Sequence, residues 1–201
     1  GTEILKNFAT IVCNLSLTPE SLDISEMISE IKEKVGNKKV IGAFSGGTDS
    51  AVAGALVAKA IGKNFIPFFV DSGLMREETI WRIKNDFPKV LGVKVEIISA
   101  RADFLKALKG IIDPEEKRKV IGKTFIEVFE AEAKRLGAKF LVQGTIYPDV
   151  IESAGSKHAK TIKSHHNVGG LPGNMNLVLI EPLRNFYKDQ VRKIGEILEL
   201  P

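Results

Sequence analysis

Residues 40–62 read VIGAFSGGTDSAVAGALVAKAIG. The order of residue types in that stretch decides the fold. A short apolar run rich in strand formers, Val40 to Phe44, gives way to SGGTDS and then to an Ala-rich helical pattern. A glycine pair lets the backbone approach a ligand closely, and successive N–H groups there form a nest for an anion. A helix beginning near Asp49 turns its positive end toward the same spot. Ser45 and Ser50 add hydroxyls on either side of Gly46, Gly47 and Thr48. Asp49 is out of place against bare phosphate unless it holds a cation there or caps the helix. The same residues also suit a plain strand–turn–helix link with Asp49 or Ser50 as N-cap. No GK[ST] follows the glycines, so the loop is not of the Walker A type.

Working outward, KKVIGAF (38–44), FIPFFVD (65–71), VKVEIIS (93–99), AKFLVQG (138–144) and LVLIEPL (177–183) read as buried strands. Helical patterns separate them, at 49–62, about 77–90, 101–109 and 115–136. A further helix precedes the first strand in ISEMISEIKEKVG, with Ile24, Met27, Ile28, Ile31 and Val35 on one face. Another closes the chain in FYKDQVRKIGEIL. Continuous Val/Ile/Phe runs alternating with helices predict an α/β fold, a parallel sheet with helices on both faces. Ligands in such folds bind beyond the carboxyl ends of the strands. SGGTDS, DSGLMR, SARADF and QGTIYPD all fall there.

Of the 201 residues, 44% are hydrophobic and 27% charged, the balance of a water-soluble domain able to bury a full core. The net charge of +4 suits a small anionic ligand, and the spread of the lysines argues against nucleic acid. Cys13 is the one cysteine, so no internal disulfide forms and a cytoplasmic setting is expected. Cys13 reads as a small buried or half-buried side chain. The longest apolar run falls far short of the roughly 20 residues of a membrane span.

From Tyr147 to Met175 the sequence is polar, Gly-rich and without period, the signature of a functional lid. It holds His158, His165 and His166 together with Lys157, Lys160 and Lys163. Asp149 and Glu152, three apart, suit either one cation or the cap of a turn. Adjacent His165 and His166 point to opposite sides of an extended chain, and no Cys or third His stands at ligand spacing. In EEKRKVIG, Lys117, Arg118 and Lys119 read as a solvated helix face or as a binding edge.

Seven motifs in this order, SGGTDS, FVDSGLMR, DPEEKRKVIGKTFIEVF, QGTIYPDVIESAGSK, IKSHHNVGGLP, EPLR and YKDQVRKIG, resemble the ATP-pyrophosphatase domain of the GMP synthetases. That domain is of the N-type ATP pyrophosphatase family. The resemblance implies an adenine nucleotide alpha hydrolase-like, Rossmann-like sheet and the conversion of XMP, ATP and ammonia to GMP, AMP and pyrophosphate. By the same resemblance, Ser45, Gly46, Gly47, Thr48, Asp49 and Ser50 hold the ATP pyrophosphate and Asp49 assists Mg²⁺. Val70 bounds the adenine, Arg118 touches XMP, and Asp149, Glu152, Lys163, His165 and His166 belong to the catalytic lid. Lys188 and Asp189 match the family's final helix motif. Where the family usually has Val this chain has Thr48, and residues 9–25 match it poorly.

The implied layout is a junction and leading helix over 1–35, then the ATP-pyrophosphatase domain over 36–201 with a lid at about 147–175. A glutamine amidotransferase, as domain or subunit, is the implied ammonia source. A C-terminal domain is implied as the homodimer contact. Neither is expected within these residues, so the chain reads as an excised domain. Other expectations from the same motifs are another N-type ATP pyrophosphatase, such as NAD synthetase, or a nucleotide-binding fragment without turnover.

Overall fold

The structure is a computed structural model that describes residues 1–16, 22–154 and 177–200. A short helix α1 (Thr2–Asn7) runs into one π-helical turn, Phe8–Val12, and then α2 spans Ile24–Val35. Next come β1 (Val40–Ala43), α3 (Thr48–Ile61), β2 (Phe65–Asp71), α4 (Glu77–Asn85), α5 (Phe87–Leu91) and β3 (Glu96–Ser99). The rest of the chain forms α6 (Arg101–Leu108), α7 (Pro114–Leu136), β4 (Phe140–Val142), α8 (Tyr147–Ala154), β5 (Val178–Ile180) and α9 (Lys188–Ile197).

The strands form one five-stranded sheet in the order β3-β2-β1-β4-β5, every pair parallel. Period-two alternation divides the side chains between two cores. Val40, Phe65, Phe69, Phe140 and Val142 join the core that holds α2, α3, α5 and α9. Ile41, Phe68, Val70 and Leu141 turn to the other face, against α6 and α7. Helices therefore cover both faces, as the apolar runs predict.

Local chemistry sets most of the ends. Asp23 Oδ1 accepts from the Glu26 N–H at 3.0 Å and starts α2. Asp113 Oδ1 accepts from the Glu115 and Glu116 N–H groups at 3.0 and 2.8 Å and starts α7, with Pro114 in its first turn. The pattern expected as one helix over 77–90 divides at Asp86. Pro88 has no N–H to extend α4 but fits the first turn of α5.

Two expectations change, and the junction proves helical. The stretch expected to be aperiodic from Tyr147 opens with a helix, α8, begun by Pro148 in its first turn. The junction 1–12 is helical, although Ile4, Leu5, Phe8, Ile11 and Val12 are all exposed. Cys13 follows that segment and is exposed rather than buried, because none of the segment joins either core. No helix among the described residues is long and apolar enough to cross a membrane.

Candidate functional site

Strand β1 delivers the chain to the carboxyl edge of the sheet at Ala43, and the Phe44 N–H still donates to the Phe68 carbonyl at 2.9 Å. The chain then turns sharply through Ser45, Gly46 and Gly47. Gly46 has φ +82, and a Cβ there would stand 3.0 Å from Thr79 Cγ2, so glycine answers both a left-handed backbone and a tight neighbour. The Gly47 N–H donates to Ser45 Oγ at 3.3 Å, and Ser50 Oγ donates back to the Gly47 carbonyl at 2.9 Å. These bonds fix the loop without drawing on the amides of the first helical turn.

Gly47 is the N-cap of α3, and no side chain caps that end. The plain alternative, with Asp49 or Ser50 as N-cap, is therefore overturned, since both lie inside the helix that begins at Thr48. An uncapped helix start presents its N–H groups and positive dipole outward, an arrangement with which an anion is compatible. Gly144, two residues beyond β4, abuts this turn. A Cβ on it would stand 2.8 Å from the Asp49 carbonyl carbon and the Ser50 nitrogen. Gly144 thus seats this turn by allowing backbone against backbone.

Asp49 points to the other end of the molecule's sequence. Its Oδ1 accepts from Lys188 Nζ at 2.5 Å, the lysine being the first residue of α9. Both side chains are partly exposed, so the pair adds little stability. It does place an ammonium and a carboxylate together beside the uncapped helix start. The loops after β4 and β5 are stitched there as well. The Tyr147 N–H donates to the Phe186 carbonyl at 3.0 Å, and the Tyr147 and Tyr187 rings meet edge to face at 5.2 Å.

At the end of β2, Asp71 accepts from the Gly73 N–H and from Arg101 Nε, each at 3.0 Å. Ser72 is buried, and its Oγ accepts from the Leu74 N–H at 3.3 Å. These bonds make a firm wall at the edge next to the 45–50 loop. Val70, expected beside adenine, is 4% exposed and packs with Ile41, Phe68 and Leu141. Its side chain belongs to the core, so only its main chain has access to a ligand at that edge.

The other candidate residues belong to later segments of the chain. Arg118 lies early in α7, largely exposed and paired with Glu115 at 3.3 Å. Asp149 and Glu152 lie on α8, where Asp149 Oδ2 accepts from the Ile146 N–H at 3.2 Å. Lys163, His165 and His166 lie outside the described residues. Among the described residues no cluster of three or more His, Cys, Asp or Glu is placed to hold a metal. Magnesium takes one or two carboxylates and leaves its remaining positions to phosphate and water, and Asp49, bonded to Lys188, is the carboxylate at the start of α3.

A cavity of about 330 Å³ opens beside the loop, walled by Gly46, Gly47 and Thr48, by Arg82 of α4 and by Arg192 and Glu196 of α9. Sequence reasoning missed both arginines. Arg82 and Arg192 stand on exposed helix faces, Arg192 within the motif YKDQVRKIG, and no local signal separates them from solvated charges.

A parallel sheet whose first strand leads into an uncapped, glycine-hinged helix start is the layout of a phosphate-binding α/β protein. The family model described as NAD synthase matches residues 21–124, and the chain belongs to that family. Within it, the chain is 52% identical over 203 residues to the glutamine-hydrolyzing GMP synthase of Aquifex aeolicus (strain VF5), covering 100% of this chain and 40% of that protein. It is 53% identical over 205 residues to the glutamine-hydrolyzing GMP synthase of Coxiella burnetii (strain RSA 331 / Henzerling II), covering 100% of this chain and 39% of that protein. The chain thus spans about 40% of the length of the curated relatives it matches. Among solved structures, the NH3-dependent NAD synthetase of Campylobacter jejuni superposes with a TM-score of 0.67 at 15% identity, over 88% of this chain and 72% of that one. At that identity the likeness is one of fold. The resemblance carried by the seven motifs is borne out, as is the Rossmann-like parallel sheet.

Proposed function

We propose that this chain is the synthetase part of a GMP-forming ligase. It aminates XMP with ammonia at the expense of ATP and releases AMP and pyrophosphate through an adenylyl-XMP intermediate. The observation that carries this reading is the likeness to GMP synthases at 52% and 53% identity over the whole chain, against 15% to the NAD synthetase structure. The geometry described above is compatible with it.

The ring oxygen of XMP is a poor leaving group, so ammonia does not displace it directly. In the proposed first step that oxygen attacks the α-phosphorus of ATP, the bond to the β-phosphate breaks, and pyrophosphate departs. Ammonia then adds to the ring carbon, gives up a proton, and AMP leaves with the former carbonyl oxygen. Charge grows on the departing pyrophosphate, and preorganised donors there lower the barrier. The N–H groups of Thr48, Asp49 and Ser50 are the donors at hand, with the Lys188 ammonium beside them. A magnesium ion held by Asp49 would add Lewis-acid neutralisation of the phosphates. Arg118 contributes to XMP binding. Asp149, Glu152, Lys163, His165 and His166 position the acceptor and exclude water. A glutamine amidotransferase supplies the ammonia, and a further C-terminal domain joins two copies in the cytoplasm.

The test is pyrophosphate release from ATP by the full-length protein supplied with ammonium. Release that depends on XMP is the expected result. Release that depends on nicotinate adenine dinucleotide instead, or on no acceptor at all, overturns the reading.

A further inference from the structure

The cavity beside the phosphate loop holds two cations that the proposed chemistry has not used. Arg82 reaches it from α4 and Arg192 from α9, on opposite sides of α3. Arg101, Arg118, Arg135 and Arg184 are each paired with a carboxylate. Arg82 and Arg192 have no such partner among the described residues, as is also true of Arg76, which does not line the cavity. Glu196 stands one turn along α9 from Arg192 in the same wall, yet no ion pair joins the two. The cavity therefore carries net positive charge, over an apolar floor that includes Phe87 and Leu91.

We propose that Arg82 and Arg192 are further anion-binding residues of this site, closing on the departing pyrophosphate from the two flanks of α3. This rests on the reading of residues 45–50 as a phosphate loop. Gly46, Gly47 and Thr48 belong to both the loop and the cavity wall, so one anion touching both has its charges spread along its length. A diphosphate engages both, and guanidinium forks match its oxygens two at a time.

The test is calorimetric titration of the chain with inorganic pyrophosphate, inorganic phosphate and AMP, using wild type, Arg82→Met, Arg192→Met and the double variant. Each single change weakens pyrophosphate binding about tenfold, the size of one charge-assisted hydrogen bond partly open to water. AMP affinity stays unchanged, and Arg82→Lys and Arg192→Lys retain part of the pyrophosphate affinity because the charge remains. Both side chains are exposed, so matching thermal midpoints verify the fold. Pyrophosphate affinity in the double variant within roughly twofold of wild type, the ordinary scatter of surface substitutions, overturns the assignment. A wild-type chain that binds no pyrophosphate instead overturns the phosphate-loop reading, and the two failures are distinct.

Discussion

Replacing Gly144 by alanine inserts one methyl group where β4 meets the start of α3. The new Cβ would stand 2.8 Å from the Asp49 carbonyl carbon and the Ser50 nitrogen, whereas ordinary contact begins at 3.4 Å. The neighbours are backbone, which has no rotamer to yield, so α3 or the β4 loop must shift by about 0.6 Å. Overpacking of this kind costs about 1–3 kcal/mol. For a chain of this length that lowers the thermal midpoint by roughly 3–10 °C. The shift falls on the amides proposed to hold phosphate, so pyrophosphate affinity drops by about tenfold or more. Gly137→Ala is the control. Gly137 ends α7 at φ +63 with open space around its missing Cβ. It costs about 1 kcal/mol through backbone strain alone and leaves pyrophosphate affinity intact. Calorimetry and thermal melts of the two variants read both effects. A Gly144→Ala chain that binds pyrophosphate as wild type does would refute the claim that Gly144 seats the loop.

Asp49→Asn removes the carboxylate proposed to hold magnesium, so ATP affinity measured with and without Mg²⁺ converges; a Mg²⁺ enhancement that survives contradicts the role. Leu183→Ala empties a fully buried position in the core under α9 and lowers unfolding free energy by about 2–5 kcal/mol in a urea melt, with ligand affinity per folded molecule unchanged. Asp113→Ala takes the cap from α7 and costs about 1 kcal/mol by the same melt.

Much of the architecture is legible in the sequence because it rests on local signals. FIPFFVD is a strand over the residues expected, Phe65–Asp71, since a run buried on both faces must be apolar throughout. SGGTDS is legible for the same reason, as a glycine hinge between strand and helix. The contacts that turn the loop into a site are of another kind. Lys188 reaches Asp49 across 139 residues, and Gly144 reaches the same turn from β4. Only the sheet order brings them together. Helix α8 has too few turns for a period to show. The helical segment 1–12 was hidden because its apolar residues face solvent, so burial leaves no pattern to read.

The central claim is that residues 45–50 hold a polyphosphate through the uncapped start of α3. Amide chemical shifts of the ¹⁵N-labelled chain, followed during titration with inorganic pyrophosphate, test it most directly. The account predicts that the largest shifts fall on Gly46, Gly47, Thr48, Asp49 and Ser50 and saturate together. Saturating shifts centred elsewhere, with these amides unmoved, would contradict it.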